Sequence, residues 1–169
     1  MNIMKLIKLN LSDCNNILFI ILFCIIIYFL YNNYYNLLTK QDITMLTDKW
    51  IYEVTVNHSP ENIQTLFCKD GSLVGTVSKV IRTGYDIKFY FNYFAKLPGI
   101  KVLNKKYEIM KITNNVFVNT AFITWYWDRL EQPITARMTF IYRDKCIFQL
   151  HSSVLPEINK NLLNVSGSM

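Results

Sequence analysis

From Ile100 to Ser153 polar residues alternate with apolar, β-branched and aromatic ones. Period two sustained over such lengths fits strands rather than helices. The pattern divides into four long strands, at about 100–113, 116–127, 134–142 and 146–153. Asn114-Asn115 fits a tight hairpin turn, Asp128 to Pro133 a longer one, and Arg143-Asp144-Lys145 the last.

A sheet of this kind must bury one face, and the residues before it supply the cover. From Leu37 to Val56 the residues Leu38, Ile43, Met45, Leu46, Trp50, Ile51 and Val54 recur at spacings of three and four, as one helix face does. Asn57 to Pro60 breaks that helix. Ser59-Pro60 is a cap and first-turn pair for a short second helix over Glu61 to Phe67, which stops before Asp70-Gly71; a loop is expected through Gly75. Gly84 opens a third helical stretch, DIKFYFNYFAKL, whose Ile87, Tyr90, Phe91 and Phe94 form a stripe, and Pro98-Gly99 ends it. Three helices followed by a meander of antiparallel strands predict an α+β domain in which a curved sheet wraps the helices.

At 169 residues the chain suits one domain plus an appendage. The appendage is ILFIILFCIIIYFLY, Ile17 to Tyr31, which has no charge, proline or glycine and as a helix is apolar on every face. It spans roughly 22 Å against a ~30 Å hydrocarbon core, and the Asn and Tyr residues from Asn32 to Asn36, with local bilayer thinning, make up the difference. The leading expectation is an uncleaved, single-pass signal anchor; a cleaved signal peptide and a buried helix stay open. No small-x-small cleavage site follows Tyr31. Lys5 and Lys8 on one side face Lys40 and Lys49 on the other, and the terminal amine tips the orientation toward a cytosolic amino terminus. The membrane is then a partner and the domain faces a lumen or the exterior. Asn57 in Asn-His-Ser and Asn164 in Asn-Val-Ser become candidate glycosylation acceptors. The resulting plan is a short segment 1–16, an anchor 17–36, a folded domain 38–157 and a tail 158–169.

Of the four cysteines, Cys14 precedes the apolar run and Cys24 lies inside it, leaving Cys68 and Cys146 for the domain. No CxxC or Cys/His spacing points to zinc, so neither metal nor cofactor is expected, and the two separated cysteines read as buried free thiols. Lys and Arg total 18 against 12 Asp and Glu, a formal charge of +6. The basic residues are scattered, densest at Lys101, Lys105 and Lys106, and no nucleic-acid motif accompanies them.

Arg137 and His151 stand out among residues destined for a sheet. Alternation puts Thr135, Arg137, Thr139 and Ile141 on one strand face, and Ile147, Gln149, His151 and Ser153 on one face of the next. A three-residue loop sets Arg137 across from His151, whereas a two-residue turn at Asp144-Lys145 sets it across from Ser152. A guanidinium in an apolar cavity needs an anion, and a carboxylate ligand meets that need with a bidentate pair. His151 would add a hydrogen bond and titrate near neutrality. Equally open is a structural role, with Arg137 paired to Asp86 or Glu108 and His151 a satisfied core histidine. Trp125 and Trp127 share a face and, with Tyr90 and Phe94, either wall a cavity or fill the core. Arg82, before the third helix, either positions an anion or sits exposed on a loop.

The order of elements and several local patterns resemble the NTF2-like superfamily of cone-shaped α+β domains, and within it the SnoaL-like proteins and the association domain of calcium/calmodulin-dependent protein kinase II. The matching residues are Phe67 with Asp70-Gly71 and Gly75-Thr76, the stretch IKFYFNYFAKLPG from Ile87 to Gly99, and ARMTFIYRD followed by LHSSVLPE. The resemblance spans roughly Leu46 to Glu157. It departs at Leu150, where the family often has a second histidine, and near Lys145-Cys146, where a tryptophan often opens the last strand. It implies that Arg137 and His151 point into the cone and that the chain forms homo-oligomers. The leading functional expectation is a membrane-anchored, non-enzymatic domain that binds a small carboxylate or oligomerises. The alternative is a SnoaL-like isomerase, cyclase or hydrolase with His151 as base, Asp86 and Asp128 being the other base candidates, and Arg137 as anion clamp. A third reading is a scaffold whose cone is filled by its own side chains.

Overall fold

The structure, a computed structural model, describes residues 11–35, 38–76 and 78–154. The chain forms two compact units, Met1–Leu37 and Leu38–Met169. In the first, α1 runs over Leu11–Tyr35. Every side chain from Ile17 to Phe29 is exposed. Among the described residues no helix is long and apolar enough to cross a membrane. The apolar side chains described, Ile17 to Phe29, account for about 20 Å of helix.

The second unit contains α2 (Lys40–Thr55), α3 (Pro60–Thr65), β1 (Phe67–Val74), β2 (Arg82–Thr83), α4 (Tyr85–Phe94), β3 (Lys101–Lys111), β4 (Val116–Tyr126), β5 (Ile134–Arg143) and β6 (Cys146–Val154). Its curved six-stranded sheet has the order β2-β1-β6-β5-β4-β3. A capping box starts α2: the Thr39 hydroxyl accepts from the Asp42 N–H at 3.1 Å and the Asp42 carboxylate accepts from the Thr39 N–H at 2.8 Å. Those Thr39 hydrogen bonds hold the Asp42 carboxyl below its ordinary value. Ile43, Trp50, Ile51 and Val54 of the expected stripe are buried, whereas Met45 is exposed. Ser59 caps α3 with Pro60 in its first turn, and Gly84, at φ 51°, turns the chain into α4.

The stretch expected as a loop before Gly75 is strand β1, which pairs in parallel with β6, so the sheet is not a pure antiparallel meander. Lys69-Asp70-Gly71 looks like a turn because it is an irregularity: the ladder shifts register between Phe67 and Ser72. A Cβ at Gly71 would lie 2.7 Å from the Ile147 carbonyl oxygen, so only glycine lets the two backbones approach. Phe67 pairs with Ile147, and their neighbours Cys68 and Cys146 form a disulfide across 78 residues of sequence. The expectation of free thiols is thereby overturned; a parallel pairing with a strand not foreseen is what joins them.

The β5–β6 turn has two residues, Asp144 and Lys145, with Arg143 paired to Cys146 and Tyr142 to Ile147. The ladder then shifts so that Ile141 faces Gln149, Thr139 faces His151 and Arg137 faces Ser153. Neither expected register holds, because Phe148 is an extra residue in β6.

Trp50 lies at the centre of the core, edge-to-face with Phe91, Trp125 and Phe140 at centroid distances of 5.8, 6.1 and 5.3 Å. Deeper along α2 the Thr47 hydroxyl donates to the Ile43 carbonyl at 2.9 Å and accepts from Tyr142 at 2.8 Å and the Asn119 amide at 2.9 Å. Burial pushes the Tyr142 phenol well above its ordinary value, opposed by the Thr47 hydrogen bond. Tyr107 is raised too, by burial and then by its 2.6 Å hydrogen bond to Asp48. A phenol whose folded pKa exceeds its unfolded one keeps its proton when the unfolded chain releases it, so this stabilisation is complete below about pH 10 and is lost as pH rises above it. Denaturant midpoints should therefore hold up to about pH 10 and fall as pH rises beyond it, and Tyr142→Phe should flatten that fall while lowering stability at neutral pH. An identical slope in the variant would remove Tyr142 from this account.

Candidate functional site

The helices do not fill the sheet. A cavity of about 280 Å³ remains, walled by Trp50 of α2, by Leu73, Gly75 and Thr76 at the end of β1, and by Tyr90, Phe91, Tyr93 and Phe94 of α4 with Leu97 beyond. The sheet supplies Trp125, Ile134, Ala136, Met138, Leu150, Ser152 and Val154, with Trp127 just after β4. Alternation puts these strand residues on the inner face: Ala136 and Met138 on β5, and, beyond the bulge, Leu150 and Ser152 on β6. Among the described residues no charged side chain is in the walls.

Three hydroxyls form the polar edge. The Thr76 and Ser152 hydroxyls lie 2.6 Å apart in a hydrogen bond. Burial raises the Tyr90 phenol, against the lowering effects of hydrogen bonds from Thr76 and the nearby Arg82 charge. Gly75 makes this arrangement possible, since a Cβ there would stand 2.3 Å from the Tyr90 ring. Trp50 carries a further polar atom of note: its indole N–H is buried among the surrounding rings, with no acceptor among the described residues. Leaving such a donor unpaired costs about 1–3 kcal/mol.

Of the residues singled out in the sequence, Trp125 and Tyr90 line the cavity, as do Phe94 and Trp127. Arg137 and His151 do not. Both are exposed on the outer face of the sheet, so they share a face as the resemblance implied, but it is the face turned away from the helices. Their inward neighbours Ala136, Met138, Leu150 and Ser152 occupy the positions assigned to them. Arg82 is half-buried on β2, outside the walls, with its guanidinium 6.0 Å from the Tyr90 ring centroid and its buried Nε–H unpaired. Asp86 and Asp128 are exposed. Asn57 is exposed and donates its amide to Glu53 at 2.8 Å, while Asn164 lies outside the described residues. Sequence reasoning missed Trp50, Thr76 and Ser152 as site residues. Trp50 was hidden in an ordinary helix stripe, and Ser152 differs from His151 by one step of alternation. Among the described residues no group of three or more His, Cys, Asp or Glu side chains could hold a metal ion.

No protein-family model matches the chain, and no curated protein matches it. Solved structures do match. One, from Xanthomonas campestris and provisionally named a calcium/calmodulin-dependent protein kinase II association domain, is 24% identical with a TM-score of 0.60, over 69% of this chain and 87% of that one. Another, from Streptomyces avermitilis and provisionally named a dehydratase of the NTF2-like family, is 10% identical with a TM-score of 0.60, over 69% of this chain and 96% of that one. The fold is NTF2-like. A protein of unknown function with a cystatin-like fold, from Nostoc punctiforme, is similar as well, at 16% identity and a TM-score of 0.59 over 72% of this chain and 94% of that one. At such identities the likeness carries the NTF2-like fold and no activity.

The Gly75–Tyr90 approach is open to direct test. A methyl group at position 75 meets the far end of the Tyr90 side chain, which has the cavity beside it. Gly75→Ala should therefore leave the domain folded, shift its melting point by only a few degrees, and weaken binding of any cavity occupant by about tenfold as the ring moves inward. Unchanged binding would mean that Tyr90 escapes outward.

Proposed function

We propose that this chain is a membrane-held NTF2-like binding module whose cavity takes a small, largely apolar molecule without acting on it chemically. The observation that carries this reading is the composition of the walls: aromatic and aliphatic side chains, a few hydroxyls and, among the described residues, no carboxylate, imidazole or ammonium. Acid–base catalysis needs a titratable group within reach of the reacting atoms. The titratable groups in the walls are the phenols of Tyr90 and Tyr93, and the base candidates His151, Asp86 and Asp128 are all exposed and absent from the walls. Without Arg137 the basis for a carboxylate clamp is gone as well. An anion here would be desolvated with no opposing charge in contact.

The membrane part of the proposal rests on α1. Its 25 residues span about 37 Å, and its described apolar side chains point outward on all sides with no polar face to offer water. A helix of that kind is stable in a hydrocarbon core rather than along an interface. The Cys68–Cys146 disulfide supports a domain on the lumenal or exterior side, since such bonds persist in oxidising compartments and are rare in the cytosol. Self-association through the outer sheet face remains part of the proposal. Exposed Phe122 sits there between Lys106 on β3 and Arg137 on β5, an apolar side chain that a second sheet could cover.

The binding reading is tested by the melting temperature of the full-length chain in lipid nanodiscs against a panel of neutral and anionic bicyclic molecules. Binding to the native state raises stability by mass action, about 2.7 kcal/mol at a hundredfold excess over the dissociation constant. Shifts for neutral members are expected; a panel with no shift at all would remove the cavity as a binding site. Separately, Cys146→Ser, or a reductant, should lower the melting temperature by on the order of 10 °C, from a disulfide contribution of roughly 2–4 kcal/mol. A melt indifferent to reductant would show the thiols unpaired, and the compartment argument would fall with them.

A further inference from the structure

We propose that the outer face of α4, with the Val80-Ile81 loop that precedes it, docks on the lipid–water interface of the membrane that holds the chain. This goes beyond the cavity and rests on the membrane-held reading of α1. Six of the ten residues of α4 are aromatic: Tyr85, Phe89, Tyr90, Phe91, Tyr93 and Phe94. Those turned inward have partners, since Phe91 packs on Trp50, Phe94 on Trp125, and Tyr90 walls the cavity. Tyr85, Phe89 and Tyr93 follow at intervals of four along one side of the helix. Each is more than half exposed, as are Val80 and Ile81, and Tyr85 and Phe89 meet edge-to-face at 5.1 Å. A helix side turned to water normally carries polar residues, whereas a run of apolar ones marks an interaction surface.

Two observations say what covers it. The first is the tether. α1 ends at Tyr35 and α2 begins at Lys40, and the four residues between them reach at most about 14 Å, so with α1 in a bilayer the domain cannot leave the surface. A contact offered continuously at such range needs little affinity of its own. The second is the chemistry of the face. Tyrosine rings with hydroxyl tips, set among lysines, suit the headgroup level, where ring and alkyl stem enter the apolar layer and the polar end stays in water. From Lys79 to Lys96 the chain has four cations, Lys79, Arg82, Lys88 and Lys96, against Asp86 alone, and Lys79 and Lys96 at the two ends are exposed to meet anionic headgroups. Lys88 lies over the Tyr85 ring at 5.2 Å and pairs with Glu61 at 2.7 Å. Docking has a consequence for the cavity: Tyr93 belongs both to the exposed stripe and to the walls, so an apolar occupant enters past it from lipid.

The test uses the full-length chain in phosphatidylcholine–phosphatidylglycerol vesicles, with Cys14→Ser and Cys24→Ser so that one added cysteine takes a bimane label without reductant. Labels go on Phe89→Cys, in the stripe, and on Lys106→Cys, exposed on the outer face of the sheet. Lipids carrying a nitroxide high on the acyl chain should quench the first about threefold more than the second. A label on Lys96→Cys reads the stripe itself: its quenching should fall about twofold when Tyr85→Gln is combined with Phe89→Gln, exposed helix positions where glutamine leaves the core untouched. Equal quenching at positions 89 and 106, or quenching at 96 indifferent to the two glutamines, would overturn the docking. So would a label at 89 shielded from aqueous iodide yet unquenched by lipid, since a protein partner would then cover the face. Flotation separates the two levels. A chain that does not float with the vesicles overturns the membrane-held reading, and one that floats while position 89 stays unquenched overturns the docking alone.

Discussion

The extra residue at Phe148 decides which side chains of β6 meet the helices. Ile147 is buried, and strict alternation from it would carry Gln149, His151 and Ser153 inward. The register shift between Tyr142 and Ile141 resets the parity, so that Leu150 and Ser152 are inward and His151 is exposed. Phe148 itself is held on the sheet by the Arg143 guanidinium, 4.3 Å from its ring centroid, while Arg143 also pairs with Asp70 of β1. The same neighbourhood carries the Cys68–Cys146 bond and the Gly71 approach to Ile147. Bulge, disulfide and close glycine therefore act together on the β1–β6–β5 seam, and the composition of the cavity depends on that seam.

Once the inner face is set, the α2 helix partitions the interior. Thr47 faces Tyr142 and Asn119 in a buried hydrogen-bonded cluster. One turn further on, Trp50 faces rings only, and beyond it the walls part into the cavity. A polar cluster fixes α2 along its axis more tightly than apolar packing can, because sliding by a residue would leave buried donors unpaired. Trp50 is thereby held at the cavity wall by contacts made elsewhere on the same helix.

The helices and the four long strands were legible because each is a long periodic segment bounded by Gly, Pro or Asn punctuation, as at Ser59-Pro60 and Pro98-Gly99. The resemblance carried the fold class for the same reason, since it rests on the order of such segments. What escaped was non-local. Lys69-Asp70-Gly71 has the composition of a turn, and only its pairing with a strand 78 residues away makes it a bulged strand and makes Cys68 a disulfide partner. Trp125 and Tyr90 were found because aromatic residues at regular spacing mark an inner face. His151 was misplaced because a bulge leaves no local signature, and one unseen residue exchanges the two faces of a strand; Arg137 lies on a strand without a bulge, where Ala136, Met138, Phe140 and Tyr142 mark the inner face and leave it outside.

Two buried polar atoms at the centre of the packing are left unpaired, each for a different reason. Among the described residues the Asn119 carbonyl oxygen has no partner, and neither does the Trp50 N–H. Asn119 is fully buried on β4 with its amide committed to Thr47 and borders no cavity. Its unmet acceptor is a cost of the cluster that positions α2, offset by the two bonds that Thr47 receives. Trp50 has no such compensation: its ring packs against three aromatic neighbours that offer the N–H nothing. Phenylalanine is too small to reach Phe91, Trp125 and Phe140 at once, so the orphaned N–H is the cost of a ring large enough to fill the centre of the core.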